Sequence, residues 1–237
     1  MTRPLVTVIV AVHNGERYLR LALESLFAQD YEPFEVVFVD DGSTDDSATI
    51  ARAFSGIRYV YQENQGLAAA RNTGLSLARG KFLAYLDDDD LIPQYKLSRQ
   101  SDYLVANPEV GCVLARQEIL LEPGVEPPEW LSRDPIFGDL DGIPLVSAMI
   151  RTEVLRVVNG FDASYRFAED RDLFVRLREH GVRIDVIPEV LLFRRFHGEN
   201  MNFRLRSGKH PLLRSLKAKI DRERAGDSTE DWGHRGA

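Results

Sequence analysis

Short β-rich runs alternate with amphipathic stretches through the first half of the chain, and this alternation limits the possible folds more than any other feature. LVTVIVAV at 5–12 is β-branched and almost continuously apolar, as a strand covered on both faces should be. RYLRLALESLFAQ at 17–29 follows, with Leu19, Ala22, Leu23 and Leu26 on one helical stripe. EVVFVDD (35–41), IRYVY (57–61), KFLAYLD (81–87) and GCVLA (111–115) read as further strands. Between them, GSTDDSATIARAF, LAAARNTGLSLA (67–78) and a stretch opened by Pro93 and running towards Asn107 read as helices. Ser43 or Thr44 suits the N-cap of the first of these, and proline suits the first turn of the last. Such alternation implies a parallel sheet with helices on both faces. Ligands bind such sheets beyond the carboxyl ends of the strands.

The second half is patterned differently. Residues 116–143 carry prolines, glycines and acids with little periodicity, which suggests a long loop over the ligand crevice. IPLVSAMIR (143–151) returns to strand character and TEVLRVV (152–158) reads as a short helix. Leu173, Phe174 and Leu177 form a helical stripe that stops at Gly181. RIDVIP and VLLFRRF read as two more strands. From Phe203 to Arg224 eight Lys and Arg face two acids, and LLRSLKAKI suits a basic amphipathic helix. Such a helix is either a solvated surface or a dock for anionic lipid, and an apolar face on it could equally form a homodimer. The last dozen residues have the composition of a disordered end.

Composition excludes more than it assigns. At 237 residues the chain suits one sizeable domain with an appendage. A net charge of -7 argues against wholesale nucleic-acid binding. The single cysteine, Cys112, lies in an apolar run, reads as a small buried hydrophobe and fits a reducing compartment. No leader is visible and no run nears the roughly 20 apolar residues of a membrane span, so a cytoplasmic location, at most at the inner membrane face, is expected. HNGERYL lacks the glycines of a dinucleotide fingerprint, and Gly80-Lys81 leads into a strand with Phe82 where a P-loop needs Ser or Thr.

The chemistry concentrates at strand ends. FLAYLDDDDLIP drives an apolar strand into four consecutive aspartates. Two carboxylates about 4 Å apart repel by roughly 4 kcal/mol at an effective dielectric of ~20. In an extended segment Asp87 and Asp89 would share one face, as ligands for Mg²⁺ or Mn²⁺. Alone, the run is also compatible with a solvated turn or an N-cap cluster. Asp40-Asp41 ends a second strand in the same expected crevice, although DDGSTDD could simply cap a helix. Arg71 stands among small residues beside Asn72 and suits a phosphate or a base, or a plain surface charge.

In this order VTVIVAVHNGERYLRLALESLFAQ, VVFVDDGSTDDS, NQGLAAARNTGLSLARGKFLAYLDDDD, VVNGFDASYRFAEDRDLFVRL and FRRFHGEN resemble a family-2 glycosyltransferase over about residues 4–202. The resemblance implies a GT-A, Rossmann-like nucleotide-binding α/β fold with a mostly parallel mixed sheet and a C-terminal helical tail. Residues 1–203 would form that domain, with a nucleotide-sugar half to about 110 and an acceptor half from 111, followed by the basic tail 204–237. It implies an inverting transfer from a nucleotide-diphosphate sugar to a glycan or lipid-linked acceptor, with Mn²⁺ or Mg²⁺ as cofactor. Asp41 would bind the base, with Ala11, His13 and Asn14 on the other wall of the pocket. Asp87 or Asp88 would lie near the ribose and diphosphate, and Asp89, with Asp87, would hold the metal. Arg71 and His197 would face the donor, and Arg194 and Arg195 are further candidates for phosphate contact. Of the catalytic pair Glu169 and Asp170, Asp170 would be the general base. Outside this pattern, Glu169-Asp170 reads as ordinary N-terminal helix charge and His197 as a structural histidine.

One position departs from the family pattern. The residue after the Glu-Asp pair is often aromatic in the family, and here it is Arg171. Guanidinium offers hydrogen bonds where an aromatic ring would stack on a sugar, which points to a charged or lipid-diphosphate acceptor. A sugar-phosphate nucleotidyltransferase is the competing enzyme reading, but the glycine- and basic-rich loop for a triphosphate is missing. A non-catalytic nucleotide-sugar binder is the third, and retention of Asp87, Asp89 and Asp170 weighs against it.

Overall fold

The computed structural model describes residues 2–126 and 144–197. Expectations for 127–143, for Gly198 to Asn200 and for the basic tail fall outside the described residues.

Seven strands form one sheet among the described residues: β1 (Val6–Val12), β2 (Phe34–Asp41), β3 (Ile57–Gln62), β4 (Phe82–Tyr85), β5 (Val110–Leu121), β6 (Met149–Arg151) and β7 (Arg183–Phe196). Their order is β3-β2-β1-β4-β6-β5-β7. All neighbours are parallel except β6, which is antiparallel to both β4 and β5. The sheet is therefore mixed but mostly parallel, as expected. The helices are α1 (Leu19–Phe27), α2 (Ser47–Arg52), α3 (Leu67–Leu77), α4 (Lys96–Ala106), α5 (Thr152–Val157) and α6 (Glu169–Glu179).

Strand alternation sorts them into two layers. Val6, Val8, Val10 and Val12 of β1 face the layer built from α1, α2 and α4, together with Phe82 and Ala84 of β4. Ile9, Leu83 and Tyr85 face the layer of α3, α5 and α6. Both faces are covered, which is why β1 reads as an almost unbroken apolar run. The expected α1 stripe is the buried one: Leu19, Ala22, Leu23 and Leu26. Gly74 lets α3 lie close on β1, because a Cβ there would stand 2.5 Å from Ile9 Cγ2.

Several expected elements differ in detail. The helix after Pro93 begins only at Lys96, whose N–H first closes a turn on the Pro93 carbonyl at 3.0 Å. Strand β5 does not stop at Ala115 but continues to Leu121, pairing with β7. RIDVIP and VLLFRRF are one strand, not two, with register shifts where Ala115 pairs Ile187 and Arg116 pairs Val190. Pro188 has no N–H to give the ladder, and an edge strand accommodates it by slipping register. IPLVSAMIR is strand only at its end; Leu145–Ser147 is a single 3-10 turn. No described helix is long and apolar enough to cross a membrane.

A buried lysine supports the glutamine that joins α4 to the sheet. Lys96 is 0% exposed, and its Nζ donates to Gln100 Oε1 at 2.7 Å. Gln100 Nε2 donates onward to the Ser147 carbonyl at 2.7 Å. Burial pushes the Lys96 pKa down to about 7. Between that value and the ordinary lysine value the unfolded chain binds one proton more than the folded one, so folding stability rises with pH across this window. The expected slope is about 1.4 kcal/mol per pH unit, and it vanishes below about pH 7, where both states are protonated. Denaturant unfolding of wild type and Lys96→Met at pH 7, 8 and 9 should show the wild type gaining on the variant as pH rises.

Candidate active site

The strand order reverses beside β1: the chain runs β1, β2, β3 to one side and returns to β4 on the other. A crevice at such a reversal receives the loops after β1, β2 and β4. The first two interlock. The His13 Nδ1–H donates to the Asp41 carbonyl at 2.9 Å, which fixes the tautomer because a carbonyl only accepts. Asn14 adopts φ 58, a conformation asparagine tolerates better than most residues. Its N–H donates to Ser43 Oγ at 3.0 Å, and its Oδ1 accepts from the Thr44 N–H at 2.8 Å. The Gly15 N–H donates to Ser47 Oγ at 2.9 Å and the Glu16 N–H to Asp45 Oδ2 at 2.9 Å. The expected capping role of Ser43 or Thr44 is therefore corrected. The residue before α2 is Asp46, without a side-chain cap, and DDGSTDDS instead ties one loop to the other. Ala11 and Val12, both buried, end β1 beneath them.

Asp41 is buried at the end of β2. Its Oδ1 accepts from Gln62 Nε2 at 2.7 Å and from the Gln65 N–H at 2.9 Å, and its Oδ2 from the Gly66 N–H at 2.9 Å. The carboxylate thus shapes the loop from β3 into α3. Its neighbour Asp40 accepts from the Tyr59 hydroxyl and from the Ser43 N–H. Tyr59 and Gln62 had no motif to mark them in the sequence, and Gln65 stood in the NQGLAAARNTG stretch without a role.

The aspartate run is not extended. Residues after Tyr85 leave the strand, Asp88 and Asp89 form a turn, and the Asp90 N–H returns to the Asp87 carbonyl at 3.4 Å. The expected sharing of one strand face by Asp87 and Asp89 is corrected: a turn separates four like charges that a strand would stack in two rows. Each of three carboxylates has its own protein partner. Asp87 Oδ1 takes Arg71 Nη2 at 2.9 Å. Asp89 Oδ2 meets His197 Nε2 at 3.1 Å. Asp90 Oδ1 accepts the Arg195 N–H at 3.0 Å. Arg195 Nε also donates to the Asp89 carbonyl at 3.1 Å. Burial first, and then the charges of Asp89 and Asp87, push Asp88 up to about 7. Burial and like charge also raise Asp89 and Asp90.

The end of β7 closes over this turn. The Tyr18 ring lies 4.9 Å from the His197 ring and beneath the guanidinium groups of Arg17 and Arg195, each 4.8 Å from its centroid. His197 and Arg195 therefore reach the aspartate turn, although they are over 100 residues away in sequence.

Arg71 is placed differently from the expectation. It is only 4% exposed, and its second nitrogen, Nη1, donates to Glu169 Oε1 at 2.6 Å. Nη1 and Nη2 each give a bond to a carboxylate, so the reading of Arg71 as a plain surface charge is corrected. Burial works against its charge, but Asp87, Glu169 and Asp170 outweigh that and hold it protonated. Glu169 is itself buried, at the start of α6. Asp170 is half-buried, and its Oδ1 accepts from the Arg171 N–H at 2.8 Å. Of the pair, Asp170 is the carboxylate outside the ion pair.

Among the described residues no group of three or more His, Cys, Asp and Glu side chains is disposed to hold a metal. Mg²⁺ and Mn²⁺ need less, because they keep water and take one or two carboxylates plus substrate phosphates. Asp89 and Asp87 supply hard oxygens of that kind, and crowding of Asp88, Asp89 and Asp90 is what a cation relieves. The donor set fits.

A family model described as glycosyl transferase family 2 matches residues 7–160. An uncharacterized glycosyltransferase of Rickettsia prowazekii is 32% identical over 209 residues, 82% of this chain and 64% of the relative. The chain thus spans just under two thirds of that relative's length. The glycosyltransferase GlyA of Streptococcus pneumoniae is 46% identical over 114 residues, 43% of this chain and 16% of that protein. Among solved structures, residues 1–349 of S. aureus TarS in complex with UDP-GlcNAc match with TM-score 0.77 at 22% identity, over 95% of this chain and 68% of that one. The mannosyltransferase PcManGT from Pyrobaculum calidifontis, in complex with GDP-Man and Mn²⁺, matches with TM-score 0.68 at 23% identity, over 96% and 77%. At these identities the two structures establish a shared GT-A-like fold.

Gly15 makes the aspartate turn possible, because a Cβ there would lie 2.3 Å from Asp88 Oδ2. Gly15→Ala should cost about 1–3 kcal/mol in denaturant unfolding, the usual range for overpacking. Adding Asp88→Gly, which removes both the carboxylate and the Cβ that would lie 2.8 Å away, should recover part of the loss.

Proposed function

The chain belongs to the family-2 glycosyltransferases, and on that premise we propose that it moves a sugar from a nucleotide-diphosphate sugar to a hydroxyl acceptor with inversion. One observation carries the proposal: the Asp87–Asp90 turn at the end of β4 and the Glu169-Asp170 pair at the start of α6 meet around one guanidinium. The donor's nucleoside would lie over the interlocked loops at Ala11, His13 and Asn14. Asp41 would form the facing wall by fixing Gln65 and Gly66. Asp87 and Asp88 would approach the ribose and diphosphate, with His197 and Arg195 beyond them. When bound on Asp89 and Asp87, Mn²⁺ or Mg²⁺ would offset negative charge on the departing diphosphate.

Asp170 would take the acceptor proton as the hydroxyl oxygen forms its bond to the anomeric carbon. The bond from that carbon to the diphosphate breaks on the opposite side, and one displacement inverts the centre. Arg171, next to the base, favours an anionic acceptor, such as a phosphate-bearing glycan or a lipid diphosphate. That acceptor class fits work on surface polysaccharide or lipid-linked glycan at the inner membrane face.

Calorimetric titration with UDP, GDP, CDP and dTDP, each with and without Mn²⁺, should single out one nucleotide whose tight binding needs the metal and is lost in Asp89→Ala. Asp170→Asn should keep that affinity while donor hydrolysis falls by about 10²-fold or more. Loss of binding and turnover together would remove Asp170 from the role of base. Arg171→Trp should shift preference from charged towards neutral acceptors at unchanged donor KM, and an unchanged preference would remove Arg171 from acceptor recognition.

A further inference from the structure

Arg71 bonds two carboxylates that belong to distant parts of the chain. It sits on α3, which packs on β1 and β2 in the donor half of the sheet. Its guanidinium reaches Asp87 at the end of β4 and Glu169 at the start of α6, 98 residues further along the chain. Tyr85 and Phe161, an edge-to-face pair 5.7 Å apart, wall it in with ring centroids 5.9 and 5.7 Å from the guanidinium carbon. The next residue, Asn72, grips the same neighbourhood by its backbone. Asn72 Nδ2 donates to the Phe161 carbonyl at 2.7 Å, and the Phe161 N–H donates to Asn72 Oδ1 at 2.8 Å. Gly160, at φ 63, allows this grip, since a Cβ there would lie 2.5 Å from Asn72 Oδ1. From the far side, Arg176 of α6 bonds both Asp172 and the Val158 carbonyl.

Two adjacent residues of one helix thus hold the segment leading into α6 to the donor half. Glu169 is the covalent neighbour of Asp170, so fixing one sets where the other stands. Accuracy matters here, because a displacement of about 1 Å in a reacting group can cost about 10²-fold in rate. A lysine could not replace the arginine, since a single ammonium lacks the planar fork that reaches two carboxylates at once.

We propose that Arg71 is a positioning residue that sets the reach between the Asp87 turn and the base-bearing start of α6, without touching the sugar nucleotide. The proposal rests on Asp170 being the base of a glycosyl transfer. Arg71→Met, Arg71→Lys and Glu169→Gln test it in the full chain, by nucleotide calorimetry, donor-hydrolysis kinetics and amide hydrogen exchange. Each variant should bind the nucleoside diphosphate within about threefold of wild type and keep donor KM, while kcat falls, by about 10²-fold for Arg71→Met. Exchange should quicken over residues 159–172. Arg71→Met combined with Glu169→Gln should be no slower than Arg71→Met alone, because the two act through one contact.

Affinity lost in step with kcat would make Arg71 a donor ligand and overturn the proposal. A lowered melting temperature with kcat, KM and exchange unchanged would reduce it to a stabilising pair and overturn it too. Should Arg71→Met fail to fold, the Lys and Gln variants carry the same readouts. Should wild type hydrolyse no donor, the glycosyltransferase reading falls by itself. Exchange over 159–172 then decides the strut alone: faster exchange in the variants upholds it and unchanged exchange overturns it.

Discussion

Charge crowding at the end of β4 governs this molecule. Four aspartates in a row cannot share one environment, and each finds a separate solution. Arg71 neutralises Asp87 from below, His197 meets Asp89 from the side, and the Arg195 amide caps Asp90. Asp88 has none of these and is pushed towards its neutral form. Arg71 does the most, because its other nitrogen serves Glu169. A buried guanidinium between two carboxylates is held in place from both sides, and removing it would leave Glu169 charged and unpaired at a cost of about 3–5 kcal/mol.

That arrangement depends on the sheet. Parallel order β3-β2-β1-β4 places the loops after β1, β2 and β4 at one end. Helices on both faces hold the strands in register. The loops then secure one another, as Asn14 and Gly15 engage Ser43, Thr44 and Ser47. The long β5–β7 pairing carries Arg195 and His197 back over the turn from the opposite side. A crevice built this way is set by backbone and buried side chains, which suits a site that must hold two reactants in line.

Several parts were legible because they depend on local periodicity. The strand–helix alternation, the α1 stripe and burial of Cys112 follow from residue spacing and apolarity. The candidate residues were legible as types at strand ends, and His13, Asn14, Asp41, Asp87 and Asp89 do line up there. Harder to read were features settled by a distant partner. Residues 116–121 look irregular until β7 supplies their ladder. Ser43 looks like a cap until Asn14 claims its hydroxyl. Nothing in the sequence marks Lys96 as buried, yet its Nζ donates a hydrogen bond to Gln100 inside the core.

By itself the sequence determined the layer architecture, the family and the chemical kinds of group in the crevice, because period, apolar content and strand-end position are properties of short stretches. Only the tertiary structure decided what each charge does. Arg71 read as a ligand or a surface charge and stands as a buried link, and Asp87 and Asp89 read as one strand face and became parts of a turn. The reason is that a charge takes its role from its nearest opposite charge and its exposure to water. For Arg71 the former lies 16 and 98 residues away.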